Sequence, residues 1–381
     1  MNLPLSASNI NQSPLFTPWR DPRSGVTSYV LTSSAAPWQQ PLYFVNDGFG
    51  DGGRYYWFYC GFPPAGNHNE GLALGVADFA AHTTRYFPET QFLDASPVVE
   101  AATGAVLWCG GVNLWRRGPG ADATVELVNR LPDDLTRGRR PWRVATHLTF
   151  SADGQRVNFD AEVGTDWLVG DFPLDGTPPR VWQKFDRCYN HAQFCPADAE
   201  LQLIAQDTAV HPLSGGTLAP ENRLWLIRRG ARAFPVLPAS GSGLDGHEWW
   251  SADGRRIWFV RYHRGVCCVA LANARADRVD DPPVAEVWSL PTVSFAHASR
   301  DERLVVANCA PSPTENSVRL LNRATGRVTV IATNLPPLPT TARNFHTQAM
   351  PRFCLEDEFI SYTTTVGGTA GVALVPVREV K

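Results

Sequence analysis

The chain has 381 residues, 44% of them hydrophobic and 19% charged, an ordinary make-up for a globular protein. Its 34 basic and 37 acidic side chains leave a net charge of −3, so no long-range attraction draws it to nucleic acid or to an anionic membrane surface. No apolar run reaches the roughly 18 residues that span a bilayer. An acidic ligand would therefore have to be held by a local cluster of Arg, His or metal.

The N-terminal run MNLPLSASNINQSPLF has no basic segment followed by an apolar one. The expectation is a chain without a secretory signal, located in the cytoplasm. Cys60, Cys109, Cys188, Cys195, Cys267, Cys268, Cys309 and Cys354 are scattered with no CxxC, and in that compartment they read as reduced core thiols.

In chain order, the strand-like GVTSYVLTSS at 25–34 comes first, and it is predicted to pair with the last unit of the chain. A repeat follows. THLTFSADGQRVNFDAEV at 146–163 and GHEWWSADGRRIWFVRYH at 246–263 share a polar opening residue, a short apolar strand, a Ser-x-Asp-Gly turn and an alternating second strand. The Asp-Gly pair supplies the positive φ of a tight hairpin. Weaker copies begin at Pro41, Gln91, Asn190, Ala296 and Phe345. Second hairpins follow most copies, as in LVGDFPLDGTPPRVWQ from Leu168, LWLIRRGARAFPVL from Leu224 and RLLNRATGRVTVIA from Arg319. Two hairpins make one four-stranded blade, and the repeat length is that of propellers. The 31 Pro and 31 Gly interrupt the chain too often for long helices. The prediction is an all-β, seven-bladed β-propeller with four-stranded antiparallel blades, the N-terminal strand closing the last. It is read as one domain, with blades roughly at 41–90, 91–135, 144–184, 188–238, 244–288, 294–333 and 343–380.

Each unit opens on a polar residue. These are Asn46, Asp94, His147, His191, His247, His297 and, in the last unit, His346 with Gln348. Inner strands of a propeller line its channel, so histidines far apart in sequence are expected to converge there. Histidine titrates near neutrality and ligates metals. The alternative is a repeat that favours a His bonded to the neighbouring blade.

The runs NHAQFCPADAELQLIAQD, ENRLWLIRRG, GHEWWSADG and HASRDERLVV, in that order, resemble the blades of oligogalacturonate lyases. DGGRYYWFYCGFPP is similar to propeller lyases acting on ulvan. The resemblance implies β-elimination on a uronate-containing oligosaccharide, with His247 as base and Arg223 neutralising the carboxylate. It suggests Tyr189 and His191, beside Gln193, for proton donation or sugar contact. His147 and Arg187 are further substrate contacts near the mouth. It also implies a Mn²⁺-type ion, for which His297, His346 and Gln348 form the ligand set. Met350 stands where the family has a second histidine of its last motif, so a metal-free site is the competitor.

Two other classes remain open. A propeller glycoside hydrolase needs two facing carboxylates, and the opening register offers only Asp94. A non-enzymatic scaffold of the TolB or WD-repeat kind has no use for a ring of histidines.

Overall fold

The computed structural model describes residues 4–139, 141–211, 213–240, 244–312, 315–333, 335–336 and 348–381. Its strands form seven antiparallel blades around a central channel, as the repeat predicts. The fourth blade, for example, runs Tyr189–Cys195, Asp198–Gln206, Leu224–Arg228 and Phe234–Pro235 from the channel outward. The fifth is Asp245–Trp250, Arg256–Arg261, Gly265–Ala270 and Val284–Ser289, and the sixth begins with Val293–Ala298 and Leu304–Ser312.

The recurrent turn has a local cause. In the fifth blade Ser251 Oγ donates to Asp253 Oδ1 at 2.6 Å, and the same oxygen accepts the Arg255 N–H at 3.0 Å. Gly254 then takes φ +68°, where a side chain would strain the backbone. A Cβ there would also lie 2.9 Å from Cys195 Sγ in the preceding blade. The sixth blade repeats the turn with Ser299 and Asp301 but places Glu302, at φ +57°, where the third and fifth have glycine. Its carboxylate accepts from Arg256 Nη1 at 2.6 Å and Trp258 Nε1 at 3.2 Å, contacts between blades that offset the strain.

Blades adhere through apolar faces. Trp249 stacks on Trp258 at 5.7 Å within a buried cluster that also holds Phe44, Val293, Phe295, Ala307 and Met350. All eight cysteines are buried and free. The ring closes as the N-terminal pattern predicts. Thr27–Leu31 pairs with Gly371–Pro376 of the last blade through Tyr29 opposite Leu374 and Val30 opposite Ala373. Phe16–Arg20 then adds outside it. First and last parts of the chain thus share one sheet, and the Gly371–Pro376 edge of the last blade is covered.

The first blade departs from the expected pattern. Its inner strand is Trp38–Pro41, and the following residues enter the channel rather than extending that strand. Tyr43 and Phe44 pack there against His147, His247 and Phe295. Among the described residues, no helix is long and apolar enough to cross a membrane.

Candidate active site

Residues near the starts of the inner strands line a cavity of about 310 Å³. They are Thr146, Asn190, His191, His247, Phe295 and Met350, joined by Tyr43, Tyr59, His68, Asn69, Asp94 and Asp207. Residues further along the same strands line another cavity, of about 410 Å³, with Gln193, Trp249, Trp250, His297 and Arg352. Tyr43 lines the first and Val45 and Asn46 the second, so the segment between them separates the two.

This division corrects the expectation of histidines at one register. His191 and His247 occupy bulges with φ +51° and +48°, where the ladder skips from Asn190 to Gln193 and from Gly246 to Trp249. Asp94 and Met350 adopt the same left-handed conformation, at φ +57° and +42°. His297 pairs with Val306 as Trp249 pairs with Trp258, and counting back from the Ser-x-Asp turn makes it the counterpart of Trp249. The residue equivalent to His247 in the sixth blade is Phe295. Asn46 also lies on the far side, its Nδ2 donating to Pro97 O and Leu148 O, both at 3.0 Å.

His247 is the most constrained of the group. Its Nδ1 lies 2.5 Å from Ser294 O and 3.0 Å from the Tyr262 hydroxyl, and its ring sits 3.7 Å from that of Phe295. A carbonyl only accepts, so Nδ1 carries a proton, and in the neutral ring the lone pair is on Nε2. The orientation of the ring is thereby fixed. Burial pushes the Tyr262 hydroxyl up to about 12, against the lowering effect of Arg223.

His191 lies 5.5 Å from His147 and 6.1 Å from Tyr43, ring to ring. Burial, with Arg223 and His147 beside it, holds His191 well below the usual imidazole range. His147 is fully enclosed, with neither ring nitrogen bonded among the described residues, and burial next to Arg143 drives it down to about 3. Both are neutral rings at neutral pH.

Arg223 stands behind the cavity wall. Its guanidinium bonds Asp207 Oδ2 at 2.9 Å and Glu248 Oε2 at 3.3 Å. Burial lowers its pKa, and the two carboxylates more than reverse this. Its charge is therefore already shared before any ligand arrives. Burial raises Asp207 as well, but Arg223 and Asn190 outweigh it and the carboxyl is held below its usual range. Asp94 goes the other way, pushed up to about 7 by burial.

The remaining expected residues scatter. Tyr189 packs on Phe185 at 3.9 Å in the core between blades, its hydroxyl accepting from Gln206 Nε2 at 3.2 Å, and it does not line the cavity. Gln193 donates to Glu248 O at 2.9 Å and faces the far cavity. Arg187 pairs with Glu221 at 2.7 Å. His346 lies outside the described residues, and Gln348 lines neither cavity. His297 sits between Trp249 and Phe353, and burial together with the Arg352 guanidinium holds it well below the imidazole range.

Among the described residues, no three His, Cys, Asp or Glu side chains converge as metal ligands. His297 and Gln348, with a guanidinium beside His297, do not by themselves complete a divalent-ion site, and no chemical step is assigned to one. Tyr43, Tyr262, Asp207 and Glu248 were not legible as site residues. Asp207 and Glu248 reach the site through ion pairs with Arg223, and Tyr43 and Tyr262 come from segments outside the strands that carry no motif.

No family model and no curated protein matches the sequence. Solved structures do. An oligogalacturonate lyase in complex with manganese superposes with a TM-score of 0.71 at 15% identity, covering 95% of this chain and 96% of that one. The oligogalacturonate lyase of Vibrio parahaemolyticus gives 0.72 at 14% identity over the same shares. The class is thus a seven-bladed propeller. More narrowly, the chain shares the fold of these oligogalacturonate lyases along nearly its whole length.

Proposed function

We propose that this protein is a lyase that cleaves a uronate-containing oligosaccharide by β-elimination in the cavity around His247. One observation carries the reading: a histidine in a left-handed bulge, its Nδ1 committed to Ser294 O, lines the channel cavity of a propeller with the oligogalacturonate-lyase fold. Nε2 removes the proton α to the uronate carboxylate, the electron pair forms the new C=C bond, and the β C–O bond breaks. The departing oxygen takes a proton from Tyr43, whose buried hydroxyl stays protonated and faces the same cavity.

Arg223 serves here as a positioning residue, since Asp207 and Glu248 already hold its charge. Hydrogen bonds to the substrate carboxylate come from groups on the cavity wall. The Asp94 carboxyl is protonated below about pH 7, and His68 and His191 stand beside it. The neutral His191 ring donates without bringing charge. His297, His346 and Gln348 remain the set for a Mn²⁺-type ion, tested by activity with chelator and after Mn²⁺ is restored.

A specific observation favours a second reading, a glycoside hydrolase. Asp94 and Asp207 line one cavity with their proton affinities driven in opposite directions, the pattern of a general acid facing an ionised carboxylate. The products separate the two. Elimination leaves an unsaturated uronate that absorbs in the ultraviolet, and hydrolysis leaves only a new reducing end.

A further inference from the structure

Beside the His247 cavity lies another, of about 490 Å³, lined by Asn67, Asn69, Glu70, Leu93, Asp94, Pro141, Trp142, Arg143, Glu162 and Gly164. The two share Asn69 and Asp94, so a chain of sugars leaving the first passes into the second. Trp142 stands at this wall 66% exposed, while every other tryptophan in the chain is buried or half-buried. Its backbone is anchored, the N–H donating to Glu162 O at 2.8 Å. An anchored, solvent-facing indole beside amides and carboxylates has the chemistry of a platform for a sugar ring, whose C–H face stacks while its hydroxyls find hydrogen-bond partners.

The charges decide which sugar. Arg143 is the one cation on this wall among the described residues, and it is already held by Asp160 Oδ1 at 3.4 Å and Glu162 Oε2 at 3.6 Å. Against it stand Glu70 and Glu162, with Asp160 behind, while Asp94, protonated below about pH 7, adds its charge only above that. Arg139 approaches at Gly164 but is also drawn to Asp166. Carboxylates outnumber cations, so a second uronate here would meet repulsion while a neutral ring would not.

We infer that this cavity is a subsite for a neutral sugar stacked on Trp142. The substrate is then a mixed oligosaccharide in which a neutral residue adjoins the uronate that is cleaved, rather than a run of uronates. The inference rests on the reading that the His247 cavity acts on an oligosaccharide, and it holds equally for elimination or hydrolysis.

The test compares length-matched oligosaccharides, one alternating neutral sugar with uronate (rhamnose–glucuronate) and one all-uronate (oligogalacturonate), by turnover and by calorimetric titration. The wild type should prefer the alternating one. W142A should raise KM or Kd for it about tenfold with kcat within about twofold. E70Q, which removes a lining carboxylate without touching Arg143, should improve binding of the all-uronate chain. Equal or better binding of the all-uronate chain by the wild type overturns the inference, as does unchanged affinity in W142A. If nothing is turned over but titration shows the W142A loss, the catalytic reading fails and the subsite stands. If neither oligosaccharide binds, the subsite is wrong.

Discussion

His147 is enclosed against Tyr43 and His191, with both ring nitrogens unbonded among the described residues. Its imidazole accepts a proton only near pH 3 in the folded state, against 6.5 for the ordinary group. Between those values the unfolded chain binds a proton that the folded protein refuses, so stability is full above about 6.5 and falls as pH falls towards 3. At pH 4.5 the difference is about two pH units at roughly 1.4 kcal/mol each, or about 3 kcal/mol. His191 and His297 act in the same direction, while Asp94 and Asp160, raised by burial, act in the opposite one. The variant H147F isolates the one group, because the others cancel in the difference. Phe keeps the ring packing and removes two unbonded polar atoms, so H147F should be near neutral or stabilising at pH 7. Urea unfolding of both proteins at pH 7 and pH 4.5 should show H147F gaining about 3 kcal/mol relative to wild type on acidification. An identical loss in both proteins would refute the argument that His147 is buried and neutral.

Other perturbations probe the frame. R223A strands the Asp207 and Glu248 carboxylates and should cost about 3–5 kcal/mol in urea unfolding, whereas loss of activity with stability unchanged would mean that the ion pairs are weak. Removing residues 1–33 takes both N-terminal strands from the last blade and bares the Gly371–Pro376 edge. The truncated chain should aggregate on gel filtration, and a monodisperse, fully folded product would contradict the closure.

The propeller was legible because its signal is repeated. Ser-x-Asp-Gly turns at 151–154 and 251–254 dictate the same hairpin twice, and the pairing of residues 27–31 with the last blade follows from a strand pattern with no partner nearby. His191 and His247 were legible as mouth residues for the same reason. His297 was not, because the ladder skips residues where His191 and His247 sit and again between Val293 and Ala296, and Asp94 and Met350 take the same left-handed conformation outside the strands. Four such different side chains share the left-handed conformation, so no residue type marks it, and a shift of two positions moves a side chain to another cavity. Tyr189 misled differently. It begins an inner strand as expected, yet its ring belongs to the stack with Phe185 and Trp225 between blades. Tyr43 and Tyr262 reach the site from segments that carry no motif.

The most direct test is ultraviolet absorbance of the unsaturated product while the wild type and H247A act on alternating rhamnose–glucuronate, ulvan and pectic oligosaccharides, with reducing ends counted in parallel. A rise in absorbance matched by new reducing ends in the wild type, and lost in H247A at unchanged thermal stability, is the predicted result. New reducing ends without absorbance would contradict elimination and favour the Asp94–Asp207 hydrolase, and undiminished absorbance in H247A would remove His247 as the base.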